Sequence, residues 1–340
     1  MDKRHIVICV SLAASLLLIA LLLTANSAPV NAAPPQPVIP DVPPAPPAHT
    51  DAVTISWSSG WINLPAGSAV TLTHNLGGDP DQYHVEMWFR DLDDGHGINS
   101  RGYGGMEGGG QWMGAAWLNL TDSSITLLRH ADDIFADRIR VRIWVPEPMP
   151  EYCTAWATIN AGTSITINHA MGGNVDDSIV RLTFRSAAHG VNQRAYGGLE
   201  YGGGMYFLGA HWYNLTNSSV QVYRNGQDIF AEQVQLCVAI PDPPNYDSGW
   251  VDLVEGTVVL DHGLGGSPLL YRVRLDTRNA GLGINSYMAG GEVVNVTPTG
   301  ANWENLTNET ISVVNRGGQE QVRVRIWATY PVYLPVIVRN

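Results

Sequence analysis

Three copies of one unit, each about 94 residues long, fill most of this 340-residue chain, so whatever fold the first copy takes the other two must take as well. Ser59-Gly60-Trp61 returns as Thr154-Ala155-Trp156 and Ser248-Gly249-Trp250. His74-Asn75-Leu76-Gly77-Gly78 returns as His169-Ala170-Met171-Gly172-Gly173 and His262-Gly263-Leu264-Gly265-Gly266. Further on, Trp117-Leu118-Asn119-Leu120-Thr121 is matched by Trp212-Tyr213-Asn214-Leu215-Thr216 and by Trp303-Glu304-Asn305-Leu306-Thr307. Proline clusters at Pro146-Glu147-Pro148-Met149-Pro150 and Pro241-Asp242-Pro243-Pro244 separate the copies, giving repeats over 53–148, 149–243 and 244–330.

Within each repeat the apolar spacing is two. Val85, Met87 and Phe89 alternate with Glu86, Trp88 and Arg90, and Val180, Leu182 and Phe184 alternate with Arg181, Thr183 and Arg185. Val273 and Leu275 do the same against Arg272, Arg274 and Asp276. Closing strands read Ile139, Val141, Ile143 and Val322, Val324, Ile326, with arginines between them. Helical periodicity is absent beyond the first residues, and 36 glycines with 21 prolines suit short strands joined by many turns. The expected fold is all-β, with three tandem antiparallel β-sandwich domains of about six strands each.

At the N-terminus Lys3, Arg4 and His5 precede the apolar run Ile6 to Leu23 and then small residues, the pattern of an export signal over 1–33. A cleaved signal peptide and an uncleaved membrane anchor both satisfy it. The stretch 34–52 is rich in proline and alanine and reads as an extended linker, while 331–340 is an apolar C-terminal tail. Apart from Cys9 in the leader, the cysteines are Cys153 and Cys237, standing where the first copy has Ser58 and Arg142 on its first and last strands. Such strands are often neighbours, so a disulfide is expected; the alternative is two unrelated thiols. The expected location is extracellular or at the cell surface.

A net charge of -12 makes nucleic-acid binding an unfavourable reading, and with Lys3 as the only lysine the folded part has no Schiff-base or P-loop lysine. Neither a nucleophile with a base nor a cofactor fingerprint is present, so the chain reads as a non-enzyme without cofactors. His74, His169 and His262 occur once per copy, which does not make a metal site. Asp91-Leu92-Asp93-Asp94-Gly95 has part of a calcium-loop spacing but lacks its terminal glutamate, and no metal is expected.

The opening Ser-Gly-Trp, the alternating strand, the Asn-Leu-Thr turn into Ile125-Thr126-Leu127 and the closing Arg142-Ile143-Trp144 resemble the H-type lectin domain. That resemblance covers most of each repeat. It implies a small β-sandwich that binds sugars such as N-acetylgalactosamine and assembles in threes, so the repeats could pack as an intramolecular pseudo-trimer or hang as a linear string. Each copy is longer than the family domain through a Gly-rich excursion, Gly95 to Gly114 in the first.

That excursion carries the candidate ligand residues: Asn99, Arg101, Tyr103 and Glu107; Asn192, Arg194, Tyr196 and Glu200; and Asn285, Tyr287 and Glu292. An aromatic ring beside amide and carboxylate groups suits a pyranose, whose C–H face stacks while its hydroxyls bond at the edge. Trp117, Trp212 and Trp303 are further stacking candidates, with a core role as the alternative. Arginines on the non-core face, among them Arg140, Arg142, Arg274 and Arg325, could meet acidic glycans or carboxylates between domains. The expected function is multivalent carbohydrate binding in cell-surface recognition or adhesion, with glycans or a surface polysaccharide as partner; the alternative is a structural module without a sugar site.

Overall fold

A computed structural model describes residues 56–108, 111–145, 151–201, 206–294 and 297–328. The leader 1–33, the linker 34–52 and the tail 331–340 lie outside these, as do the side chains of Glu107, Glu200 and Glu292. All the described residues fall in one compact unit, and among them no helix is long and apolar enough to cross a membrane.

Each repeat builds three sheets. In the first, Trp57–Ser58, Arg138–Trp144, His84–Arg90 and Ile98–Asn99 lie in that order, with Ile62–Asn63 also paired to Arg138–Trp144. A three-stranded sheet orders Ala69–Thr73, Ser124–Arg129 and Ala115–Leu118, and the Gly-rich excursion forms the hairpin Met106–Gly108 with Gln111–Met113. The other two repeats reproduce all three sheets. Alternation sets the register: Val85 faces Ile143, Val180 faces Val238 and Val273 faces Ile326 across antiparallel pairs, which puts the apolar sets on one face. Phe89, Phe184, Ile139, Val234 and Val322 are all fully buried there.

The expectation of three tandem β-sandwich domains of the H-type lectin kind is overturned. The sheets are arranged as a six-bladed β-propeller, each repeat supplying one five-stranded and one three-stranded sheet. The physical reason is that no repeat closes its edges or its core alone. The turn joining the last two strands of each three-stranded sheet bonds the short strand of the following repeat: Leu120 N donates to Val191 O at 3.1 Å, Leu215 N to Ile284 O at 3.4 Å, and Leu306 N to Ile98 O at 3.1 Å. An open edge is a liability, and here the Ala115–Leu118 edge and its equivalents Ala210–Tyr213 and Ala301–Glu304 are covered by the neighbour, the third copy returning to the first. The cores interleave in the same sense. Val191 and Trp156 of the second repeat pack into the first core, Ile284 and Trp250 of the third into the second, and Ile98 and Trp61 of the first into the third.

Asn119, Asn214 and Asn305, each at φ 51°, make the left-handed step that aims these turns at the neighbour. Asparagine tolerates that conformation better than most residues. Around the centre Gly102 N donates to Gly290 O, Ala195 N to Gly104 O and Met288 N to Gly197 O, at 2.9, 2.8 and 2.9 Å. A Cβ on Gly104, Gly197 or Gly290 would stand 2.7, 2.6 or 2.9 Å from a backbone nitrogen of the neighbouring repeat, so only glycine permits this approach.

Side chains lock the seams. Trp156 Nε1 donates to Asp81 at 2.6 Å and Trp250 Nε1 to Asp176 at 3.0 Å, each reaching back to the preceding repeat. At the third seam Leu269 replaces the aspartate, and Trp61 Nε1 has no hydrogen-bond partner. Arg140 and Arg142 donate there to the Leu269 carbonyl, at 2.8 and 3.2 Å, as Arg323 and Arg325 do to the Asp176 carbonyl at the seam of the second and third repeats.

The disulfide joins Cys153 to Cys237 across directly paired strands, between residues 84 apart in sequence. Two buried ion pairs, Arg129 with Asp133 at 2.7 Å and Arg224 with Asp228 at 2.8 Å, brace the turn before the closing strand. The third repeat does the same work with the buried amides Asn315 and Gln319, Asn315 Nδ2 donating to the Gln319 carbonyl at 3.0 Å.

Candidate functional site

The sequence candidates fall mostly inside the protein. Asn99, Asn192 and Asn285 are almost wholly buried and tie down their own loops. The Asn99 oxygen accepts from Arg101 N at 2.9 Å, and its amide donates to the carbonyls of Gly97 and Phe135 at 3.1 and 3.2 Å. Asn192 repeats this, accepting from Arg194 N at 3.0 Å and donating to Gly190 and Phe230. Asn285 accepts from Tyr287 N at 2.9 Å, so Tyr287 occupies the place of Arg101 and Arg194 and is not the counterpart of Tyr103.

The true counterpart of Tyr103 and Tyr196 is Ala289: the three form matching bridges to Ala115, Ala210 and Ala301. A shallow groove with one tyrosine from each repeat is therefore not what the chain builds. Arg101 and Arg194 stack on Phe135 and Phe230 at 4.0 and 4.5 Å and bond His96 and His189 at 2.9 and 3.0 Å. Trp117, Trp212 and Trp303 are 2%, 1% and 4% exposed, which makes them core and seam residues and not open platforms. Glu107, Glu200 and Glu292 sit on the central hairpins by their backbones.

His74, His169 and His262 accept from the turn amides of Leu76, Met171 and Leu264, each at 3.3 Å, and burial holds all three below the usual histidine pKa. Asp91 already accepts from the amides of Asp93, Asp94 and His96, at 3.1, 3.0 and 2.6 Å, so the Asp91, Asp93 and Asp94 cluster is a self-bonded turn.

What the fold creates instead is a cavity of about 210 Å³ between the three repeats, lined by all of them. The non-core faces of the central strands look into it. At one level stand Glu86, Arg181 and Arg274, one from each repeat; at the next, His84, Ile179 and Arg272. Tyr103 and Tyr196 meet edge to face at 5.9 Å, and Ala289 leaves the third ring position empty. Tyr103 OH donates to Gln193 Oε1 and accepts from Trp117 Nε1 at 3.2 Å, and burial pushes its pKa well above the usual tyrosine value. Trp88 and Trp303, edge to face at 5.4 Å, close another side. The symmetry of the backbone is thus broken by the side chains at the centre.

Most of the charge here is paired. Glu86 bonds Arg142, while Asp276 receives Arg274 at 2.9 Å and Arg325 at 2.7 Å, and those guanidinium groups hold the carboxyl of Asp276 below its usual pKa despite burial. Arg181 donates to Tyr83 O at 2.7 Å and lies 2.9 Å from Cys237 Sγ. Sequence reasoning named Arg274 on the non-core face but did not bring it together with Glu86, Arg181 and Arg272, because three separate domains share no centre. The available signal was the place where the copies differ, His84/Ile179/Arg272 and Glu86/Arg181/Arg274.

No family model, curated protein or solved structure matches this chain.

Proposed function

We propose that this chain is an exported, non-catalytic binding protein that takes a saccharide in the cavity shared by its three repeats. The observation that carries the reading is the empty ring position at Ala289, where two copies have tyrosine: it opens a space walled by the tyrosine and tryptophan rings and edged by Ser100, Gln193 and Ser286. Aromatic faces with polar groups at their rims suit a pyranose. At about 210 Å³ the space is below the ~300–1,000 Å³ usual for drug-sized ligands, which favours one sugar unit. The apolar leader and the disulfide support export.

The test is a glycan array followed by titration calorimetry on the full chain and on Ala289→Tyr. The variant restores the residue found at the equivalent point of the other two repeats, so it fits the fold while filling the space. Retention of at least one saccharide by the parent, and its loss in Ala289→Tyr with an unchanged melting temperature, is the expected result. Equal binding by both proteins, or no retention by the parent, defeats the reading.

A structural module that makes protein contacts is the second reading. It is favoured by Ile134 and Ile229, which are 48% and 57% exposed at equivalent points of two repeats.

A further inference from the structure

We propose that the ligand of the central cavity is acidic, and that Arg272 binds its carboxylate or sulfate group. This rests on the saccharide reading of the same cavity and narrows it to sugars carrying an acid.

Arg272 carries the argument. Among the described residues its guanidinium makes no hydrogen bond or ion pair, and it meets only the rings of Trp144 and Trp327, each at 5.8 Å. Every other arginine lining the cavity is held by a carbonyl or a carboxylate. Leaving a guanidinium partly desolvated and unpaired is costly, and the chain has an internal control showing that the fold does not need it. The equivalent residue is His84 in the first repeat and the aliphatic Ile179 in the second, on strands of the same register.

The surroundings favour an anion. Three guanidinium groups, those of Arg181, Arg272 and Arg274, line the cavity against one carboxylate, Glu86, which Arg142 already engages. Burial lowers the Arg272 pKa; Glu86 works against this, and the charges of Arg274, Arg142 and Arg181 add to it. Positive charge is thus concentrated at the centre of a protein whose net charge is -12. A planar guanidinium presents paired donors to a carboxylate or sulfate, and the flanking tryptophans supply faces for the ring that bears it. Beside them the second repeat has only Ile179 and Ala239, which leaves room on that side.

The experiment is calorimetric titration of the full chain and of Arg272→Ile with glucose, glucuronic acid and glucose 6-sulfate. Isoleucine is the residue the second repeat already has here, and a melting temperature that is unchanged or raised confirms that the variant folds. At least one acidic sugar should bind about tenfold or more tighter than glucose. Arg272→Ile should weaken that sugar roughly tenfold to a hundredfold while leaving glucose unaffected. Preference for glucuronic acid or for the sulfate ester identifies which acid is recognised, and either supports the proposal. Glucose bound as tightly as both acidic sugars, with Arg272→Ile silent, overturns it and leaves the saccharide reading intact. If neither these sugars nor any glycan on the array is bound, the saccharide reading falls and this one with it.

Discussion

Replacing Asp228 by alanine should cost about 3–5 kcal/mol of stability, because it strands a buried guanidinium and three backbone amides at once. The Asp228 side chain is fully buried and accepts from Gly209 N at 2.7 Å, Phe230 N at 3.1 Å, Ala231 N at 2.8 Å and Arg224 Nε at 2.8 Å. Arg224 in turn ties this turn to the Ile159 carbonyl at 2.8 Å, so the loss spreads to the opening strands of the repeat. The third repeat suggests how to separate charge from shape. Its Asn315 and Gln319 do the same bridging without ions, so Arg224→Asn with Asp228→Gln should recover part of the stability that Asp228→Ala loses. Chemical denaturation followed by tryptophan fluorescence measures all three proteins. A shift within about 0.5 kcal/mol for Asp228→Ala, the range of an ordinary surface substitution, would contradict the bracing role.

The disulfide should be worth about 4 kcal/mol, through the long loop it closes in the unfolded chain. Cys153 and Cys237 are 84 residues apart and sit opposite each other in the register that pairs Ser58 with Arg142 in the first repeat. The fold therefore accommodates other residues at this pair, and the bond adds stability to a geometry that exists without it. The Cys153→Ser, Cys237→Ser protein should keep its β-rich circular dichroism and unfold at clearly lower denaturant. An unchanged midpoint would show that the linkage contributes nothing.

How far the sequence speaks is clearest from particular residues. The period-two alternation placed Val85, Val180 and Val273 on strands, because burying one face of a strand leaves no freedom of register. The Asn-Leu-Thr turns looked local, yet their backbones bond the next repeat, a partner some 70 residues onward or, for the third copy, about 200 residues back. Nothing in the turn itself announces so distant a partner. Tyr287 was matched to Tyr103 by chemistry, whereas the backbone aligns Gly102, Ala195 and Met288, all in the left-handed region, and so puts Ala289 where Tyr103 stands. A methionine in that conformation hides the equivalence. Arginines on the alternate strand face read as contacts for acidic glycans or for carboxylates between domains, and in a closed arrangement that face looks at the centre.

Asn99, Asn192, Trp117 and Trp212 recur because the backbone and the core require them, while the central cavity is lined at the positions where the copies disagree, His84/Ile179/Arg272 and Glu86/Arg181/Arg274. Repetition made the scaffold legible and concealed the cavity. The stoichiometry of saccharide binding to the full chain tests this account most directly. One ligand per chain is the result expected of a cavity that all three repeats share; three per chain, one for each repeat, would contradict it.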